Sequence, residues 1–126
     1  MQVDVEPHPQ GRWIHLRVRG VLDAPGLEAL RVRMVAPESI RDGLAQLVDF
    51  READGTGLEV DTVRAFGRAL ARSDRAGVGR RAVVVASSLA WGMSRLAAGT
   101  SGATEESVRV FGNIEEAEAW LAADAD

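Results

Sequence analysis

The chain has 126 residues, 46% hydrophobic and 27% charged, with a formal charge of −4, the make-up of an ordinary globular domain large enough for one core. It has no cysteine, and all 15 of its basic residues are arginine, which excludes disulfides, thiolate and Schiff-base chemistry and the lysine of a nucleotide-binding phosphate loop. No window approaches the ~20 apolar residues of a membrane span, and the first residues lack the basic and apolar regions of a signal peptide. The expectation is one cytoplasmic domain over residues 1–126 with no transmembrane segment, nucleic-acid partner, metal or cofactor.

In chain order, Val3–Glu6 reads as a short edge strand, and Pro7-His8-Pro9-Gln10-Gly11 as a turn. Residues 13–19 alternate, with Ile14, Leu16 and Val18 on one face and His15, Arg17 and Arg19 on the other, which marks a half-buried strand antiparallel to the first. Asp23 is placed to cap a helix over 24–36, with Pro25 in its first turn and Leu27, Leu30 and Met34 inward. Leu44–Phe50 is apolar and reads as a central strand. The polar Arg51–Gly57 reads as a loop, and Asp61 as the N-cap of a helix that ends near Asp74 and buries Val63, Phe66 and Leu70. Arg81–Ala86 lacks alternation and is β-branched, as in a strand covered on both faces. Ser87 or Ser88 caps a helix to Gly99, Val108–Phe111 forms a last strand, and Asn113 with Glu116 opens a final helix with a capping-box pattern. The order β-β-α-β-α-β-α-β-α implies an α/β fold with a mixed five-stranded sheet, four helices and right-handed crossovers.

The strand end Arg17-Val18-Arg19-Gly20, Leu47-Val48-Asp49-Phe50, Val83-Val84-Val85, Trp91-Gly92-Met93-Ser94-Arg95 and the closing stretch from Val110-Phe111 through Ala119-Trp120-Leu121 resemble the SpoIIAA-like family of STAS and SEC14-like domains over nearly the whole chain. That resemblance implies two functional traditions. STAS antagonists of anti-sigma factors carry an Asp-Ser-Ser-Gly whose first serine is phosphorylated at the start of the helix after the central strand. SEC14-like relatives bind lipids or other apolar molecules.

Set against the antagonist motif, Asp61 matches the aspartate and Thr62 the phosphoacceptor, but Val63 and Arg64 replace the second serine and the glycine. A phosphate on Thr62 would meet the free N–H groups and the favourable dipole of a helix N-terminus. Asp54-Gly55-Thr56-Gly57 reads as a flexible turn. Arg64, Arg68, Arg72 and Arg75 fall along one side of the same helix, without acidic residues four positions away, and form a candidate partner surface. Trp91, Met93 and Arg95 follow a strand exit and form a candidate ligand pocket, with the arginine toward an anionic end. Asp49 ends the central strand, where a general base would need a cleft and a perturbed pKa. His8 and His15 are too differently placed to act together. The leading expectation is a non-enzymatic protein-interaction or signalling module without an intact phosphoacceptor motif. The alternative is a carrier or sensor of a small apolar, lipid-like ligand. The three tryptophans and the arginine-rich face are also compatible with a homodimer.

Overall fold

A computed structural model describes residues 1–40, 44–73 and 79–123. In chain order the elements are β1 (Gln2–Pro7), β2 (Trp13–Val21), α1 (Ala24–Met34), β3 (Ala45–Asp54), α2 (Val60–Ser73), β4 (Arg81–Val84), α3 (Ser88–Thr100), β5 (Val108–Phe111) and α4 (Ile114–Ala123). The sheet has the order β1-β2-β3-β4-β5. β1 pairs antiparallel with β2, and the other neighbours are parallel. The mixed five-stranded sheet with four helices is the one the residue pattern implies.

Topology assigns the helices to faces. The three parallel crossovers step in one direction along the sheet, and right-handed crossovers then place α1, α2 and α3 on the same side. Leu27, Leu30 and Met34 of α1 and Leu70 of α2 accordingly pack with Ile14, Leu16, Val18, Val48 and Val83. α4 is not a crossover and covers the other face, where Ala117 and Leu121 meet Trp13, Ala45, Leu47, Ala82 and Val84. Leu16, Leu30 and Leu47 are fully buried, each contributing about 2 kcal/mol of transfer free energy.

Local chemistry sets the ends of the elements. Asp23 caps α1 by accepting a hydrogen bond from the Gly26 N–H at 2.8 Å, Ser87 caps α3 by accepting from the Ala90 N–H at 3.1 Å, and Asn113 accepts from the Glu116 N–H at 3.0 Å at the start of α4. Two expectations are corrected. α2 begins at Val60, so Asp61 sits inside the first turn, favourably placed in the helix dipole, and is not the cap. β3 continues through Arg51–Asp54 where a loop was expected. Arg17 pairs with Asp49 and Arg19 with Glu52, so β3 carries one extra residue at this point, a β-bulge. Phe50 follows Val48 onto the helical face by ordinary alternation, and the bulge makes Ala53 rather than Glu52 the next residue to pack against the core there.

α2 and α3 lie against each other at Gly67. A Cβ at that position would come within 2.7 Å of the Ala97 carbonyl oxygen and 2.9 Å of Thr100 Cβ, so only glycine permits this approach. Gly67→Ala is therefore expected to destabilise the protein by about 1–2 kcal/mol in urea unfolding, despite alanine's helix-propensity advantage of about 1 kcal/mol, because the crowding overrides it. Unchanged or raised stability would show that the two helices separate freely.

Candidate ligand-binding cavity

α3 covers the sheet without filling the space beneath it. Its cavity-facing residues are Leu89, Ala90, Met93, Ser94, Ala97 and Ala98, followed by Ser101 just past its end, and no residue of the helix is buried. The small side chains leave a cavity of about 320 Å³, within the range of small-molecule sites. Val48, Phe50, Val83 and Val108 form the floor on the sheet. Val63, Phe66 and Leu70 of α2 and the inner stripe of α3 form the roof, while Leu22, Leu27 and Met34 close the side toward α1.

The two ends of the cavity differ. At the C-terminal edge of the parallel strands stand Asp54, Thr56, Ser87 and Leu89, all exposed. Strand C-terminal edges are where open α/β sheets receive ligands. Asp54 Oδ1 accepts from the Thr56 N–H at 3.0 Å and from the Thr56 hydroxyl at 2.7 Å, which orders this turn and lowers the Asp54 pKa. The opposite end is lined by Ser101, Val108 and Arg81. Arg81 is only 5% exposed, and its Nε donates to Gln46 Oε1 at 2.8 Å. Gln46, fully buried, donates in turn to the carbonyls of Met34 and Ser39 at 2.8 and 2.7 Å. A relay of backbone carbonyls and side-chain amide thus fixes a guanidinium at the inner end of an otherwise apolar space.

A second polar cluster lies on the other face of the sheet. Asp49 is 2% exposed; its Oδ2 is 3.1 Å from His15 Nε2, and Arg51 donates through Nε at 2.9 Å, a terminal nitrogen at 2.8 Å and its backbone N–H at 3.1 Å. Burial alone would raise the carboxyl pKa, but the hydrogen bonds from His15 and Arg51 outweigh it and hold the group well below the ordinary carboxylate range. Asp49 stays ionised at neutral pH and is occupied as an acceptor. Around it, Arg17 faces Glu6 at 3.8 Å, and Arg19 faces Asp4 at 3.6 Å and Glu52 at 3.1 Å.

Of the residues singled out in the sequence, Met93 lines the cavity. Trp91 is 39% exposed and outside the lining. Arg95 lies 4.0 Å from Glu105 and borders a separate recess beside β5 with Thr104 and Arg109. The structure therefore does not bring Trp91 and Arg95 together with Met93. Thr62 is half-buried in the first turn of α2 beside exposed Asp61. Arg64 is 3.7 Å from Asp61, and Arg68 and Arg72 are exposed with no ion pair among the described residues; Arg75 and Asp74 lie outside those residues. His8 stacks on Trp13 with ring centroids 3.8 Å apart, well separated in role from His15. The cavity's small-residue stripe and the buried Gln46–Arg81 pair escaped the sequence reading. The spacing of Ala90, Ser94, Ala97, Ala98 and Ser101 on one helical face was the available signal for the first.

Among the described residues no group of His, Asp and Glu is arranged to hold a metal ion, and no helix is long and apolar enough to cross a membrane. Fold and cavity together define an α/β domain of the kind that serves as a regulatory or binding module. The chain belongs to the SpoIIAA-like family, whose model matches residues 13–122. Among solved structures it is similar to that of an uncharacterised protein of the DUF3478 family from Shewanella loihica PV-4, which has a SpoIIAA-like fold. The TM-score is 0.58 at 19% identity, over 95% of this chain and 92% of that one. No curated protein matches the chain.

Proposed function

We propose that this protein acts by binding a small apolar or amphipathic molecule between its sheet and the α2–α3 pair, as a carrier or sensor and not as an enzyme. The observation that carries this is the 320 Å³, largely apolar cavity, with exposed Asp54, Thr56, Ser87 and Leu89 at the C-terminal edge of the strands. Binding rather than chemistry is supported by the position of the one buried carboxylate among the described residues. Asp49 is saturated by His15 and Arg51 and lies on the face of the sheet away from the cavity.

Ser94→Leu tests the proposal with two opposed readouts. Ser94 lines the cavity, so leucine fills space that is otherwise empty or held by ligand. The ligand-free variant is expected to be about 0.5–2 kcal/mol more stable than the ligand-free parent, yet to lose retention of apolar ligands. A variant that gains stability and still retains ligand would place binding elsewhere.

A second reading is supported by Arg68 and Arg72 on α2, exposed and with no ion pair among the described residues, which suit an acidic protein surface. Arg68→Glu combined with Arg72→Glu is then expected to abolish pull-down of a partner, and retained pull-down would remove the arginine face from consideration. Thr62 stays with this reading as the phosphoacceptor candidate, with Asp61 beside it.

A further inference from the structure

We propose that the occupant of the cavity is a single unbranched hydrocarbon chain of about a dozen carbons, with its polar end at the strand C-terminal edge; this rests on the ligand-binding reading above. Three observations combine. The first is length. The lining of α3 runs from Leu89 to Ser101, twelve residues of helix, or ~18 Å at 1.5 Å per residue. The second is width. Spreading 320 Å³ over that length leaves a mean section of roughly 18 Å², about the girth of one extended alkyl chain.

The third observation is the asymmetry of the ends. Asp54, Thr56 and Ser87 offer hydroxyl and carboxylate groups at the exposed strand edge, the mouth, whereas the inner end is lined by half-buried Ser101 and Val108 and by the buried Arg81, which donates to Gln46. A polar head group keeps its hydration at the mouth and would lose it at the inner end. Capacity agrees with length: in proportion to a cavity of about 150 Å³ that holds one benzene ring, this one takes about a dozen carbons. A free alcohol or acid, or the chain of a larger lipid whose head stays outside, shares this chemistry.

The experiment is calorimetric titration of the purified protein with n-alkanols and n-alkanoic acids of about 6 to 16 carbons, with naphthalene as the compact ring. Affinity is expected to rise about fourfold per added methylene and to stop rising near a dozen carbons. Alkanols and acids of equal length should share that ceiling. Ala98→Leu narrows the slot ~14 Å from Leu89 along α3, so it should lower the ceiling by several carbons while leaving the shortest chains unaffected. Naphthalene binding more tightly than a chain of equal carbon number, or a ceiling unmoved by Ala98→Leu, would overturn the single-chain proposal while leaving the ligand-binding reading intact. Silence from chains and ring alike would sink both.

Discussion

Gln46→Leu is expected to destabilise the protein by about 3–5 kcal/mol, although leucine is apolar, of similar size and suited to a strand. The amide of Gln46 makes three buried hydrogen bonds: it donates to the carbonyls of Met34 and Ser39 and accepts from Arg81 Nε. Leucine returns none of them. Each buried group deprived of its partner costs roughly 1–3 kcal/mol, and the apolar gain of the leucine offsets only part of that sum. The Met34 carbonyl belongs to the last turn of α1, where helix carbonyls have no partner of their own, so the loss also loosens the connection between α1 and β3. Urea unfolding should show a lowered midpoint with an unchanged slope. A cost below about 1 kcal/mol would mean that water satisfies these groups, and that the inner end of the cavity is wet.

Asp49→Asn is expected to cost about 2–4 kcal/mol at neutral pH, because the charge that satisfies three donors of Arg51 and the imidazole of His15 disappears while those groups remain. The low end of that range is favoured by Arg51, whose side chain is 40% exposed and partly hydrated without its partner. The substitution has a pH signature. The folded-state pKa of Asp49 lies below the ordinary value, so the unfolded chain binds the proton more readily. The stabilisation is fully present above the ordinary carboxylate range and is lost as pH falls toward the folded value. The gap in stability between parent and variant should therefore narrow steadily below about pH 5. A gap constant down to strongly acidic pH would show that Asp49 contributes by shape and not by charge.

Much of the fold is legible in the sequence because it rests on periodicity. The alternation of Ile14, Leu16 and Val18 and the unbroken apolar run at Val83–Val85 each report how many faces of a strand are covered. Boundaries were less legible where polarity and structure part company. Arg51–Asp54 is polar and still a strand, because the bulge at this point keeps Ala53 on the core side while the flanking residues stand in water. Asp61 carries the chemistry of a cap, yet the helix starts one residue earlier.

The site was harder to read for a different reason. A cavity is made by what side chains leave empty, and alanines and serines on one face of α3 look like an indifferent helix until the sheet beneath them is in place. Trp91 is a large aromatic after a strand exit, yet it lies outside the cavity wall, whereas Met93, two positions on, lines it. The pairing of His15 with Asp49 depended on parallel register between strands 34 residues apart, for which the residues themselves give no cue. Arg81 opens the Arg81–Ala86 strand segment, and its charge gives no sign that it is buried. Its burial depends on Gln46, which is equally unremarkable in sequence.

The most direct test of the ligand-binding account is the intact mass of protein purified from its own host without organic solvent, first under native and then under denaturing conditions. The expected result is an adduct in the native spectrum that vanishes on denaturation and is missing from Ser94→Leu prepared in the same way. A native mass equal to that of the bare chain, still unchanged after incubation with the alkyl series, would contradict it.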